Sequence, residues 1–307
     1  MKKFRNLTPA PMFEHAVDPF ACRRGNHPIR PTAPIAAEPD PLPAGEVVFR
    51  WLGHSSVFLR LGGKNILIDP VLSRFTSPVP FIGPRRFPGR CIRGDELPPI
   101  DFVLITHNHY DHLDKSTLRM LDGKVGRYFV PAGVDRYLRR FGISAEKIKV
   151  LQWYEEAEIG GIKIVCLPTR HGSARGLLDG NRSLWCAYLL KADGFTVLDT
   201  GDGGYGDHFR DFRSRYGDVD LAIMECGQYS VRWHAMHMFP EESVQAALDV
   251  GAKLAIPVHW GGYVLSDHPW DDPPLRFAER AGELGLNCRI ATINKAIVIK
   301  DSPSPLR

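Results

Sequence analysis

The sequence of 307 residues lacks a long hydrophobic run. No stretch approaches the ~20 apolar residues that a helix needs to span a bilayer. The N-terminus, MKKFRNLTPAPMFEH, carries positive charges, but no apolar segment follows them, so the core of a secretory signal is missing. We therefore expect an intracellular, cytoplasmic protein that is either soluble or peripheral to the inner face of the membrane.

Cysteine is scarce, and the six cysteines are scattered singly along the chain. They lack the close pairs of a metal knuckle and the dense spacing of a disulfide framework. The six residues are Cys22, Cys91, Cys166, Cys186, Cys226 and Cys288. We expect them to be thiols in a reducing compartment.

The charge is nearly balanced, with 39 Lys and Arg against 35 Asp and Glu and a net charge of +4. This small excess is compatible with anionic substrates or an anionic membrane surface, but it requires neither. We see no basic run interleaved with aromatic residues for base stacking, so nucleic acid is not an expected partner. A homodimer, in which Pro-rich chain wraps across a neighbouring subunit, is an option that the sequence leaves open.

Composition divides the chain into three parts. Residues 1–45 are rich in Pro, Arg and Ala without apolar periodicity, and we interpret them as an N-terminal extension. Residues 46–301 are predicted to form one domain, and residues 302–307 a C-terminal tail. The domain opens with VVFRWL, SVFLRL and NILID, separated by turn residues, which predicts an antiparallel meander.

Further apolar runs predict strands that alternate with helices. The runs are DFVLIT, RYFV, IKIVCL, WCAYLL, FTVLD, DLAIME and KLAIPV, several of them apolar enough to be buried on both faces. Helical patterns cover residues 134–141, 208–216, 241–250 and 275–284. This order predicts a layered α/β or α+β architecture, with sheets packed together and helices outside.

The strongest chemical signal is THNHYDHLD, residues 106–114, directly after the predicted strand DFVLI. Three imidazoles and a carboxylate within six residues predict a metal site, because buried ionisable groups need partners. Alternation along an extended segment places His107 and His109 on the same side, while Asp111 and His112 turn to a second position if a helix begins there. Nitrogen and oxygen donors together suit Zn²⁺, with Fe or Mn as alternatives.

Three further candidate ligands follow predicted strands. His171 follows IKIVCLPTR, Asp202 follows FTVLDTG, and His259 follows KLAIPV. Each lies where a strand gives way to a Gly-containing loop, the place where rigid elements hold accessible functional groups. Together they strengthen the prediction of a metal centre.

The order HxHxDH, then His, Asp and His, resembles the metallo-β-lactamase superfamily, with Asp69 closing the strand NILID. From Trp51 to about Asn287 the chain is similar to the N-acyl-phosphatidylethanolamine-hydrolysing phospholipase D family and its bacterial relatives. The segments that carry this resemblance are WLGHSSV, IDPVLS, GPRRF, ELPPIDFVLITHNHYDHLD, GDGGY, PEESV and PVHWGGYVLSDHPWDDPP. The resemblance implies an αββα sandwich, in which two mixed β-sheets are flanked by helices.

The resemblance also implies roles for individual residues. One zinc would be held by His107, His109 and His171, and the other by Asp111, His112 and His259, with Asp202 bridging the two. Asp69 and Asp114 would orient ligands, and His54 would lie close to the site, although turn caps and a structural histidine are alternatives. Two such ions would share a water and lower its pKa towards ~7. We expect Asp111 to orient this nucleophile.

The resemblance points to a phospholipid substrate and a phospholipase D-type reaction. The loop at residues 71–90 mixes aromatic residues with arginines, which suits an amphiphile with an anionic head or a peripheral membrane contact. We expect Arg85 and Arg86 of this loop, together with Tyr229, to contact substrate. His237 is a candidate catalytic residue, and its neighbour Met236 stands where the family pattern has a polar amide. The alternative is a metal-dependent lactonase, or another hydrolase of small esters or phosphodiesters on the same fold.

Overall fold

The computed structural model describes residues 3–8, 41–43, 47–79, 81–87 and 92–300. Most of the predicted N-terminal extension and all of the predicted tail at 302–307 lie outside these residues, so both boundaries stay predictions. None of the helices in these residues combines the length and the hydropathy of a membrane-spanning segment.

Thirteen strands are present in the described residues. They are β1 (Val47–Gly53), β2 (Ser56–Leu61), β3 (Lys64–Ile68), β4 (Ile100–Leu104), β5 (Val125–Pro131), β6 (Ile148–Leu151), β7 (Glu156–Ile159), β8 (Ile162–Leu167), β9 (Ala187–Ala192), β10 (Phe195–Asp199), β11 (Leu221–Glu225), β12 (Ala255–Val258) and β13 (Ala296–Lys300). The α-helices are α1 (Lys115–Leu121), α2 (Asp135–Arg140), α3 (His208–Tyr216), α4 (Pro240–Asp249) and α5 (Asp272–Leu284).

The strands form two mixed sheets. The first has seven strands in the order β13-β1-β2-β3-β4-β5-β6, and the second has six in the order β12-β11-β10-β9-β8-β7. The predicted meander is confirmed, because β1, β2 and β3 pair antiparallel. From β3 to β6 the pairing is parallel, as it is from β10 to β12.

Alternation along the strands builds three apolar layers. In β8, Ile164 faces a core between the two sheets that also holds Trp51 and Phe102. The next residue, Val165, faces the opposite side of its sheet, where Phe209 of α3 and Phe277 of α5 pack. Successive strand residues point to opposite faces, so a sheet with two apolar faces must be covered on both.

The outer face of the first sheet is covered in the same way. Val103 of β4 and Tyr128 of β5 pack with Leu118 of α1 and Leu138 of α2. The layers therefore run helix, sheet, sheet, helix. This confirms the predicted αββα sandwich.

One edge of this sandwich collects the polar loops. The strands β1, β3 and β4 run in one direction in the first sheet, and β8, β10, β11 and β12 share a direction in the second. The loops after them carry His54, Asp69, residues 106–114, His171, Asp202 and His259. Backbone hydrogen bonds from His54 N to Trp260 O and from His259 N to His54 O tie the two sheets together at this edge.

Candidate metal centre

Four side chains form the first donor set: His107, His109, His171 and Asp202. His109 Nδ1 lies 2.9 Å from His107 Nε2 and 3.2 Å from His171 Nε2. Asp202 Oδ2 lies 3.8 Å from His107 Nε2 and 3.7 Å from His171 Nε2. These ligand atoms lie close together at the edge of the sandwich that collects the polar loops.

Asp111, His112, His259 and the same Asp202 form the second donor set. Asp202 Oδ2 lies 3.1 Å from His112 Nε2 and 3.3 Å from His259 Nε2. Asp111 Oδ2 lies 3.7 Å and 3.4 Å from the same two nitrogens. One oxygen of Asp202 is therefore common to both sets, and the structure brings all seven predicted ligands together.

The spacing of the donors suits a metal ion. Bonds of ~2.0–2.1 Å in a tetrahedral site place ligand atoms about 3.3–3.4 Å apart. The distances in the two sets, 2.9–3.8 Å, bracket that value. The donor chemistry of neutral imidazole and carboxylate suits Zn²⁺, and Fe or Mn as well.

The orientation of the imidazole rings also indicates cations at these points. Nδ1 of His259 faces Gly227 O at 3.2 Å, and Nδ1 of His112 faces Asp69 Oδ2 at 2.6 Å. Both partners are acceptors, so in a neutral ring the proton is on Nδ1 and Nε2 is bare. The two Nε2 atoms lie 3.2 Å apart. Two bare nitrogens at this distance repel each other, and either a proton or a metal ion between them removes the repulsion.

The surroundings of the ligands set their protonation. Burial lowers the pKa of His107 and His171 well below the usual range, which keeps both rings in the neutral form that binds metal. Burial opposes a charge on His112 as well, but Asp202 and Asp111 raise the pKa of that ring well above its usual value. The negative field that favours a proton on His112 also favours a metal ion in its place.

Asp69 contacts one of the predicted ligands. Its carboxylate faces His112 Nδ1 and accepts hydrogen bonds from the backbone N–H and the hydroxyl of Thr106. His54 is fully buried, and its Nε2 lies 3.0 Å from Oδ2 of the predicted ligand Asp111. Burial, followed by the charge of His259, lowers the pKa of His54 to about 4, so a neutral ring donates to Asp111.

The backbone is strained at this edge. His54, Asp69 and His259 have φ angles of 53°, 41° and 70°, in the left-handed region that costs non-glycine residues energy. Glycine allows the close packing beside them, because a Cβ on Gly227 would lie 2.0 Å from the carbonyl oxygen of His259. Such strain persists only where the surrounding structure over-determines it, and it concentrates at functional sites.

A cavity of about 370 Å³ opens onto both donor sets. Five of the seven predicted ligands line it, together with Ala174, Gln228, Trp233, Met236, His237 and Leu265. His237 lies beside the ligands, with its ring centre 5.0 Å from that of His171. Larger hollows of about 820, 680 and 540 Å³ contain none of the seven predicted ligands.

The predicted site residues Arg85, Arg86, Tyr229 and Asp114 neither line this cavity nor belong to a donor set. Arg86 is buried with its guanidinium on the carbonyls of Leu52 and Val71, and Arg85 lines the 820 Å³ hollow. The hydroxyl of Tyr229 donates to Asp272.

Asp114 caps a helix instead of orienting a ligand. Its carboxylate accepts from the backbone N–H of Ser116 at the start of α1, and from the hydroxyl of Thr117. It also accepts from the backbone N–H of Ser73, which ties the loop after β3 to α1. A carboxylate that directly precedes a helix satisfies free N–H groups of the first turn, and this competes with a role at the metal.

Sequence reasoning missed several residues that shape the site. Glu225 at the end of β11 contacts His237, and Asn6 contacts the backbone of His171. The guanidinium of Arg175 donates to the carbonyls of Asn108, His109 and Leu113 in the loop that carries the ligands. Glu225 was detectable as a charge closing an apolar strand. Asn6 and Arg175 carry no local signal, because their partners are distant in sequence.

Comparison with known proteins agrees with this geometry. The model of the beta-lactamase superfamily domain matches residues 64–260. An uncharacterized protein of Mycobacterium tuberculosis is 35% identical over 290 residues, which cover 91% of this chain and 78% of that protein. The N-acyl-phosphatidylethanolamine-hydrolyzing phospholipase D 1 of Caenorhabditis elegans is 33% identical over 228 residues, which cover 70% of this chain and 64% of the worm protein.

A solved structure extends the comparison of folds. Igni18, a metallo hydrolase from Ignicoccus hospitalis, superposes with a TM-score of 0.61 at 19% identity, covering 82% of this chain and 97% of that one. The fold and the His/Asp cluster define a metal-dependent hydrolase. The chain belongs to the metallo-β-lactamase superfamily, and it has relatives named as phospholipases D.

Proposed function

We propose that the protein is a two-zinc phosphodiesterase of the phospholipase D type, acting on N-acyl-phosphatidylethanolamine or a related phospholipid. The observation that carries this proposal is the pair of donor sets sharing Asp202 Oδ2 at the floor of one cavity. The similarity to the Caenorhabditis elegans enzyme supports the choice of substrate. That relative is longer than this chain, and only 64% of its length is matched.

Zinc is the metal that we propose, with Fe or Mn as alternatives. His107, His109 and His171 would hold one ion, Asp111, His112 and His259 the other, and Asp202 both. Two ions bound there would supply Lewis-acid stabilisation and a nucleophile at neutral pH.

Asp111 and His237 are the proposed catalytic residues. Burial alone would raise the pKa of Asp111, but the charge of His112 and hydrogen bonds from His259 and His54 hold it well below the usual range. Asp111 therefore stays an acceptor and can orient an attacking water. Nδ1 of His237 lies 2.8 Å from Glu225 Oε1, which leaves Nε2 as the free atom of the ring. His237 lines the cavity, where that nitrogen can exchange a proton with a leaving oxygen.

The size and lining of the cavity fit part of a phospholipid. About 370 Å³ is near the lower end of small-molecule sites, too small for a whole lipid with its acyl chains. Trp233, Met236 and Leu265 line it with apolar surface beside the ligands. The cavity can therefore take the scissile phosphodiester and its neighbouring atoms while the acyl chains stay outside.

Exposed apolar side chains indicate where the acyl chains of the lipid would lie. Phe81 and Leu178 are 83% and 80% exposed, and Val79, Ile82 and Leu177 are exposed beside them in sequence. The loops at 73–81 and 175–179 line one groove, which also holds Tyr110 from the ligand loop. We propose that these two loops contact the lipid surface. The cysteines that the structure describes are free thiols, as expected in a reducing compartment, and we propose that this compartment is the cytoplasm, at the inner face of the membrane.

The test is to incubate zinc-loaded protein with N-acyl-phosphatidylethanolamine in detergent micelles and to detect N-acylethanolamine and phosphatidic acid by mass spectrometry. We expect both products from the parent protein and neither from His109→Ala. His234→Ala is the matched control, because His234 pairs with Glu242 outside the donor sets, and it should retain activity. If a parent sample holding two zinc ions yields no product, the phospholipase assignment fails, and lactones become the next substrates to assay.

A further inference from the structure

A residue near the N-terminus contacts the backbone of a candidate metal ligand. The side-chain amide of Asn6 donates from Nδ2 to the carbonyl oxygen of His171 at 3.0 Å. Its Oδ1 accepts from the backbone N–H of the same His171 at 3.1 Å. One side chain, 165 residues distant in sequence, thus satisfies both polar groups of the peptide backbone at His171.

These backbone groups depend on Asn6. His171 is 2% exposed, so little water reaches it. Among the described residues no other group bonds to its backbone N–H or carbonyl oxygen. The ring of His171 is held separately, by Nδ1 on the carbonyl oxygen of Met236 at 3.1 Å. Asn6 therefore fixes the backbone from which this ring projects, and Met236 fixes the rotation of the ring.

Two further contacts hold Asn6 in place. The indole Nε1 of the buried Trp185 donates to Asn6 Oδ1 at 3.1 Å, in addition to its bond with the carbonyl of Thr169. The backbone N–H of Phe4 donates to the carbonyl oxygen of Asn181 at 2.8 Å. Residues 3–8 are thereby docked on the loop that runs from His171 to Trp185.

We propose that residues 3–8, through Asn6, complete the first metal-binding set by positioning His171. The proposal rests on the two-metal site of the proposed function, and it assigns an N-terminal segment to that site. Asn6 is a positioning residue, because it contacts neither donor atoms nor the cavity. Groups that orient ligands from outside the coordination sphere typically change metal affinity by about 10–100-fold when they are removed.

The structure predicts that only one of the two donor sets depends on this contact. His171 belongs to the set with His107 and His109 and is absent from the set with Asp111, His112 and His259. Loss of Asn6 should therefore weaken the binding of one zinc ion and leave the binding of the other unchanged. A general loss of stability would weaken the binding of both ions.

The experiment compares full-length Asn6→Ala with full-length Leu7→Ala. Leu7 is on the same segment and is 62% exposed, so Leu7→Ala controls for the effect of a substitution in the segment itself. Zinc affinity is measured by competition with a chromophoric chelator. Co²⁺-substituted protein gives visible bands that report the ligand field, and thermal unfolding is recorded for each apoprotein. No lipid substrate is involved, so a failed phospholipase assay leaves this result independent.

For Asn6→Ala we expect one equivalent of zinc to bind about 10–100-fold more weakly, with altered Co²⁺ bands. The other equivalent should bind as tightly as in the parent, and Leu7→Ala should bind both equivalents as tightly as the parent. The proposal is overturned if both equivalents of Asn6→Ala bind as tightly as in the parent. It is also overturned if both weaken equally alongside a lower unfolding temperature, because that result describes a structural role alone.

Discussion

Nδ1 of His237 lies 2.8 Å from Oε1 of Glu225, whose side chain is 1% exposed at the end of β11. The other oxygen of Glu225 accepts from the backbone N–H of Met238 at 3.2 Å. The ring of His237 is stacked on that of His259, with an interplanar angle of 2°. A buried carboxylate thus fixes both the rotation and the tautomer of a histidine that faces the cavity.

This contact predicts the behaviour of a His237→Gln variant. If His237 transfers a proton in the reaction, turnover should fall about 10²–10⁴-fold, the usual contribution of a general acid or base. Both metal ions should remain, because His237 lies outside the two sets of proposed ligands. The measurement is kcat on micellar substrate together with zinc content. Undiminished turnover would remove His237 from the catalytic residues.

Asp69 and Asn6 should each support the binding of a different metal ion. Asp69→Asn removes the negative charge beside Nδ1 of His112, a member of the second donor set, and replaces one of the two acceptor oxygens by an NH₂ group. We expect about 10–100-fold weaker binding of one zinc ion, since outer groups of this kind have effects of that size. Chelator competition on Asp69→Asn, Asn6→Ala and the double variant checks this. We expect each single variant to bind one ion more weakly, and the double variant to bind both ions more weakly. If both single variants weaken the same ion, the assignment of Asp69 and Asn6 to different donor sets is wrong.

The exposed loops predict a defect in membrane binding that is separable from catalysis. Phe81→Glu and Leu178→Glu place an anion where an apolar group would enter the lipid. Each should weaken binding to acidic vesicles about 10-fold or more, because burying one such side chain contributes ~1.5–3 kcal/mol. Leu275→Glu, at an exposed apolar residue on α5, is the matched control.

Vesicle sedimentation measures this binding, and a soluble short-chain phosphodiester measures catalysis. We expect the two loop variants to keep activity on the short substrate while losing vesicle binding. Parent-like sedimentation of both loop variants would exclude the loops at 73–81 and 175–179 as the contact with lipid.

His208 predicts a loss of stability in acid that is unrelated to the metal centre. Burial, with the charge of Arg170, lowers the pKa of His208 to about 4, and its Nε2 lacks a described hydrogen-bond partner. The unfolded chain takes up this proton below pH ~6.5 while the folded protein resists it. Stability is therefore present in full above pH ~6.5 and falls as the pH approaches 4.

The variant His208→Gln should lose this part of the acid sensitivity. At pH 5 the linkage contributes about 2 kcal/mol of destabilisation to the parent relative to pH 7.5. Urea unfolding of both apoproteins at the two pH values checks it, and the other histidines cancel in the comparison. Equal pH dependence of the two proteins would show that His208 titrates normally when folded.

Local patterns were sufficient for most of the fold. The helix at residues 208–216 was predicted with the bounds of α3, and the meander of β1 to β3 followed from turn residues between alternating apolar runs. The strands β6, β7 and β13 and the helix α1 were not predicted. In β7 the sequence EAEI has a weak apolar signal, because its residues are partly or fully exposed at a sheet edge.

For the metal centre, the sequence by itself determined the seven candidate ligands, since imidazoles and carboxylates that close buried strands must find partners. Only the tertiary structure decided what supports them. Asn6 on His171 and Glu225 on His237 are contacts between residues distant in the chain. The same holds for Arg86 and Asp114, which bind backbone groups of neighbouring loops instead of substrate or ligand. The sequence determines the chemistry of a side chain. The residue that it contacts depends on which loops the two sheets bring together.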